Sequence, residues 1–275
     1  MPVSARRRRS GHPDHAPMRH TAAVDRYTSS ERLAEQYSDS ARLRIRQETH
    51  RRYSANSTSF VEWLVDLLEL RPGMSVVDVG CGHGLYHPIL RSRGARVIGL
   101  DRSMGMAREA AAGCMAVVGD AQALPLPDHG FDRVMCNHVL YHVPNQLLAM
   151  RELRRIARSE GRVVIATNGS QTNQRMYEVA RLAARDIGRR DSFSRENPFR
   201  LEDVERVREI FPTAYVEVLR NEFVFPEPES ALRYWRSMRD DPDLEAAMRR
   251  RIEAIIEEEG EFRVPLVSGC FVADV

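Results

Sequence analysis

The sequence predicts an α/β fold: a Rossmann-like, doubly wound, mostly parallel sheet of seven strands, with helices on both faces and a helical cap. Three observations lead there. Short strand-like runs (74–79, 96–101, 131–136 and 161–168), the first of them rich in valine, alternate with helical patterns, the signature of βαβ units. The first run ends in a glycine turn, Gly80-Cys81-Gly82-His83-Gly84, of the kind that carries a strand into a helix. The chain of 275 residues is long enough for one large domain with a cap.

Taken in order, residues 1–20 combine Arg6-Arg7-Arg8-Arg9 with prolines and three histidines, and are expected to form a disordered basic tail. A single domain is expected over 21–275. Residues 29–53 are charge-rich and can form a helix. Residues 57–70 read as an amphipathic helix, with Phe60, Trp63, Leu64, Leu67 and Leu68 at helical spacing, stopped by Arg71-Pro72-Gly73. These N-terminal helices span 29–70. After the glycine turn come a helix near 84–93, a strand over 96–101 ending in Asp101, a helix over 104–112, and a strand over 114–118. Leu124-Pro125-Leu126-Pro127 makes a rigid loop before the fourth strand, 131–136. A helix with Pro144 at its start covers 144–157, and the fifth strand covers 161–168. Cap segments are expected at 170–210 and 228–260, between which 215–225 forms a strand; 264–275 forms the last.

Composition removes several chemistries. The net charge is +2, and all 41 basic residues are arginine. With no lysine there is no phosphate-binding P-loop lysine, no Schiff base and no pyridoxal phosphate anchor. Cys81, Cys114, Cys136 and Cys270 show no CxxC spacing and read as reduced core residues. No His, Cys and carboxylate set has metal-ligand spacing, so no metal is expected. No apolar stretch approaches a membrane span and no apolar segment follows the arginine run, so a cytoplasmic protein without membrane contact is expected.

The glycine turn is suited to a nucleotide-like ligand, because glycines let the backbone approach closely and the following helix presents free N–H groups. The spacing is G-x-G-x-G. A dinucleotide fingerprint would need glycine where Leu85 stands. Asp78, just before the turn, could accept hydrogen bonds from the loop or a cationic ligand end, and would repel a pyrophosphate. Asp101, one strand-helix-strand unit later, could accept both hydroxyls of a ribose.

VVDVGCGHG at 76–84 resembles motif I of the class I S-adenosylmethionine (SAM) dependent methyltransferases, and GDAQALPLPDHGFDRV at 119–134 resembles the same segment of the UbiE-like small-molecule group. The resemblance covers roughly residues 55–170. It implies that SAM is bound by Asp78, Gly80, Cys81, Gly82, Gly84, Asp101, Arg102, Asp120, Ala121 and Asn137, with Asp120 and the Ala121 N–H on the adenine and Asn137 at the methionine end. It also implies that helices before the first strand lie over the pocket, so that Tyr27, Tyr37 and Tyr53 become acceptor contacts. Asn168, at the end of the fifth strand, joins them. Where DNA and RNA amino-methyltransferases carry an N/D-P-P-Y/F pattern, this chain has Asn137-His138-Val139-Leu140.

Methyl transfer from a sulfonium is an in-line displacement whose main demand is alignment and desolvation. Where the nucleophile starts protonated, a base helps, and His142, His138 and Tyr141 are the candidates, with His142 also an acceptor contact. The expected function is SAM-dependent methylation of a small-molecule acceptor, in specialised metabolism. The alternatives are a nucleic-acid methyltransferase, favoured only by the arginine tail and the Arg-rich insertion, a nicotinamide oxidoreductase, disfavoured by the glycine spacing, and a module that binds SAM without transfer. Nucleic acid is not the expected partner, and a homodimer is left open.

Overall fold

A computed structural model of the chain describes residues 28–29, 40–190, 197–239 and 241–275. The expected basic tail, Tyr27 and Tyr37 lie outside these residues. A seven-stranded sheet runs in the order β3-β2-β1-β4-β5-β7-β6, as a doubly wound fold requires. Its strands are β1 (Ser75–Val79), β2 (Arg96–Asp101), β3 (Met115–Val118), β4 (Phe131–Asn137), β5 (Ala157–Asn168), β6 (Tyr215–Phe225) and β7 (Phe262–Asp274). The first five are mutually parallel. β7 inserts antiparallel between β5 and β6, which it pairs from Tyr215↔Val272 to Phe225↔Phe262.

Nine helices are described: α1 (Ala41–Tyr53), α2 (Phe60–Asp66), α3 (His87–Ser92), α4 (Met104–Ala110), α5 (Gln146–Ile156), α6 (Gln174–Asp186), α7 (Val204–Arg208), α8 (Pro228–Met238) and α9 (Pro242–Glu259). Their starts are written in the sequence. Ser59, Ser103 and Asn145 each accept a backbone N–H from the first turn of α2, α4 and α5. Asp241 does the same for α9, which opens on Pro242 and stops at Gly260 with φ +85°.

Three apolar layers follow from the periodicity. On one face of the sheet Met150, Leu153 and Ile156 of α5 pack with Val77, Val134 and Phe271. On the other, Leu64, Leu68 and Leu90 pack against Val76, Met135 and Val272. The third layer belongs to the cap: Val179 of α6, Trp235 of α8 and Met248 of α9 close over Phe223, Phe225 and Phe262 at the far ends of β6 and β7. Two expected boundaries move. β5 begins at Ala157 rather than 161, because a register shift against β4 lets the chain pair early. The helix expected over 29–53 is described only from Ala41. Among the described residues no helix is long and apolar enough to cross a membrane.

Candidate active site

The parallel strands β1, β2, β3 and β4 end on one side of the sheet, and a cavity of about 2040 Å³ opens there. That is about twice the upper end of an ordinary small-ligand pocket, ~1,000 Å³. Its floor is the glycine turn. Gly80 and Gly82 hold φ of +74° and +55°. A Cβ on Gly80 would stand 2.1 Å from Val139 Cγ2, so the turn closes on the β4 tip only as glycine.

Asp101 anchors this turn from the neighbouring strand. Its Oδ2 accepts the Gly82 N–H at 2.9 Å and its Oδ1 accepts the Ser103 N–H at 2.8 Å. The Arg102 N–H also bonds this carboxylate, and the two oxygens together keep acceptor capacity for a ligand hydroxyl. Burial raises the carboxyl above its ordinary range, against the pull of these donors and with Asp78 adding to the rise. Asp120 lines the same cavity one strand over, its carboxylate receiving the N–H of Gln122 at 2.9 Å. Cys81, Arg102 and Ala121 complete this end, and burial pushes the Cys81 thiol up, so it stays protonated.

Asn137 is buried at the tip of β4, in the cavity wall, and neither its Oδ1 nor its Nδ2 has a partner among the described residues. Such a group costs about 1–3 kcal/mol if left unsatisfied, so a polar ligand is its natural complement. His138 follows with φ +59°, a left-handed turn for a non-glycine residue, fixed by its N–H to Ala166 O at 2.9 Å. The turn swings its ring into the cavity beside Phe60 and Tyr141, while Tyr141 and His142 pack edge to face at 4.4 Å. Burial is the main force holding the His138 pKa at about 4, aided by the charges of His50, Arg46 and His142. Asn168 reaches the cavity from the β5 tip, its Oδ1 accepting from Ser268 at 2.9 Å.

Three expected contacts are placed elsewhere. Asp78 is fully buried beneath the turn, 3.3 Å from His87 Nε2, while His87 Nδ1 lies 3.2 Å from Cys114 Sγ. A buried carboxylate takes its partner from the nearest polar side chain, so Asp78 braces the turn from behind and does not line the cavity. Gly84 does not line it either: a Cβ there would meet the His87 ring at 2.6 Å, so it packs on this same brace. Tyr53 turns into the cap core, 5.3 Å from the Phe225 ring, because its ring gains more from apolar burial than from the cavity.

The opposite wall was largely missed by sequence reasoning. Residues 42, 43, 46, 47, 50, 51 and 54 of α1 and its C-cap line the cavity at helical spacing. Gln47 Oε1 is 3.1 Å from His83 Nε2 and so ties α1 to the glycine turn. His50 packs edge to face on Phe223 at 4.7 Å. From the cap, Tyr234 receives the Asn173 amide N–H at 2.9 Å, and burial pushes its hydroxyl up to about 12. The polar stripe 42–46–50 was the available signal.

Comparison with known proteins agrees with this geometry. Residues 77–165 match the family model described as a methyltransferase domain. Demethylmenaquinone methyltransferase of Mycobacterium tuberculosis is 36% identical over 107 residues, which are 38% of this chain and 46% of that protein. The malonyl-[acyl-carrier protein] O-methyltransferase of Erwinia pyrifoliae is 39% identical over 102 residues, 35% of this chain and 39% of that one. The matched stretch thus spans less than half of either relative. Among solved structures, a candidate methyltransferase of an antibiotic biosynthesis pathway from Anabaena variabilis has a TM-score of 0.58 at 20% identity, covering 78% of this chain and 96% of that one. It shares the fold.

Proposed function

We propose that this chain, whose residues 77–165 match a methyltransferase-domain family model, transfers a methyl group from SAM to a small-molecule acceptor. One observation carries the reading: at the tips of four adjacent strands a single cavity joins a glycine turn, the Asp101 carboxylate and the unpartnered side chain of Asn137. These residues fit the parts of SAM. Asp101 would hold the ribose hydroxyls, Asp120 and Ala121 the adenine, and Asn137 the methionine end. When bound, SAM supplies an electrophilic methyl on sulfur, so no metal has to activate it.

The chain's own contribution is alignment and exclusion of water. Phe60, His138 and Tyr141 form a half-aromatic collar beside the β4 tip, where the acceptor atom has to arrive. His138 is neutral at pH 7 and a weak base, so it can orient an acceptor by hydrogen bonding but gains little by taking a proton. His142 is the candidate for proton removal where the acceptor arrives protonated; an acceptor already deprotonated needs no base. A specialised metabolite is the finer proposal for the acceptor. Calorimetric titration with S-adenosylhomocysteine, with NADH as control, tests the cofactor assignment. Micromolar binding of the first and none of the second is expected, and the reverse would overturn it.

A further inference from the structure

Resting on that reading, we propose that the acceptor is a carboxylic acid, recognised by the arginines of α1 and methylated on a carboxylate oxygen.

The first support is the character of α1. It buries only Thr49 and has no continuous apolar stripe, so apart from the packing of His50 and Tyr53 on Phe223 and Phe225 at its C-terminal turn it is placed over the cavity by polar contacts. Its polar contacts to neighbouring elements join Ser40 and Arg44 to Glu109 at 2.7 and 3.1 Å, and Glu48 to Arg233 at 2.7 Å, with Arg44 and Glu48 also at the cavity edge. Arg42 and Arg46, one turn apart, line the cavity along one edge of the helix, and Arg51 lines it from the opposite edge, at the exposed mouth. The outer turns of surface helices commonly carry arginine; arginines lining a ligand cavity ask for an anion.

The second support is the balance of charge inside. Among the described residues, the guanidinium groups of Arg42 and Arg51 pair with no carboxylate. Arg46 sits between them, close enough for its charge to be felt at both His138 and Tyr234, on opposite walls of the chamber. The acids of the lining are committed elsewhere. Glu48 is held by Arg52 and Arg233, and Asp241 by Arg189 at 2.8 Å. Asp101 and Asp120 stand at the strand tips, at the cofactor end. The acceptor end is therefore cationic before SAM adds its sulfonium.

The third support is the weak basicity around the β4 tip. His138, at the β4 tip, stays neutral well below pH 6 and is not suited to deprotonate a hydroxyl or amine near neutrality, and a carboxylate acceptor leaves His142 no proton to remove. A carboxylate arrives already deprotonated. One of its oxygen lone pairs forms the new O–C bond, the C–S bond breaks with its electron pair going to sulfur, and no proton has to be removed. The products are a methyl ester and S-adenosylhomocysteine. The ester has lost the charge that Arg46 held, which favours its release.

The test uses the full chain saturated with S-adenosylhomocysteine. Matched pairs of probes are titrated by calorimetry and by thermal shift: decanoate against methyl decanoate, and benzoate against methyl benzoate. The expected result is binding of at least one acid and at least tenfold weaker binding of its ester. Arg51→Gln, at an exposed position that leaves folding intact, should weaken the acid at least threefold, and Arg46→Gln at least tenfold. Both should keep S-adenosylhomocysteine affinity within twofold. Esters binding as well as acids, acid affinity unchanged in both variants, or no acid binding to a protein that binds S-adenosylhomocysteine would each overturn the proposal. Failure to bind S-adenosylhomocysteine at all would instead defeat the methyltransferase reading beneath it.

Discussion

The two walls of the cavity are built on different principles. The cofactor wall is backbone: strand tips, a turn closed by glycines, and carboxylates fixed by N–H donors within a few residues of their own strands. The acceptor wall is side chain: His50 and the arginines of α1, Asn168 of β5 and Tyr234 of α8, brought together from positions nearly two hundred residues apart. A backbone wall tolerates few substitutions but fixes one ligand shape. A side-chain wall can be rewritten one residue at a time. The contrast predicts that damage to the first abolishes binding outright, whereas damage to the second changes what is bound and how tightly.

The largest effect should come from Asp101→Ala, which removes both ribose acceptors. Hydrogen bonds to a charged group are worth about 1.5–3 kcal/mol each, so affinity for S-adenosylhomocysteine should fall at least ~100-fold. Calorimetry would show it, and retained affinity would remove Asp101 from the cofactor wall. His87→Ala strips the buried Asp78 of its partner and should cost about 3 kcal/mol of stability in denaturant unfolding. A loss under 1 kcal/mol would mean that the turn is braced by something else.

Acid should act on the acceptor wall first. His138 has a folded-state value near 4 against about 6.5 when unfolded. The unfolded chain therefore binds more protons between those limits, and stability that is complete above pH 6.5 declines as pH falls toward 4. Asp132 shifts in the same direction for the opposite reason: against its burial, the Ser75 donors and Arg158 favour its charged form and hold it near 2, so its contribution is lost only as pH falls below 3.8. Unfolding midpoints at pH 7 and pH 5 should differ in the native chain and converge in a His138→Gln variant.

A smaller change is expected from His142→Ala. With a deprotonated acceptor, turnover should drop less than ~10-fold while S-adenosylhomocysteine affinity holds. A loss of ~10²-fold or more would assign His142 to proton removal. Smallest of all is Gln47→Ala, which cuts the single link from α1 to His83 and should weaken S-adenosylhomocysteine two- to threefold. No change would make the two walls independent.

The same contrast explains what could be read in the sequence. Strands β1 and β4 are short apolar runs buried along most of their length, and β2 carries Val97, Ile98 and Leu100 between turns, so local composition marks them. The glycine turn and Asp101 lie on them at fixed offsets. The acceptor wall offers no such offsets. α1 is polar all round, and nothing local distinguishes an arginine facing a cavity from one facing water. Asp78 misled for a related reason: its spacing points to the ligand, and only the fold reveals His87 behind it. Tyr53 is equally at home in a cavity or a core, and the Phe225 ring decided.

The placement of β7 has a consequence for how such a protein can change. β6 touches the sheet only through β7, and α6, α8 and α9 close over the far ends of those two strands, whereas residues 199–214, with α7, fill the main core beside α5. A chimaera that swaps residues 228–260 should therefore change the cap side of the acceptor wall while α1 keeps the arginines that face the acceptor.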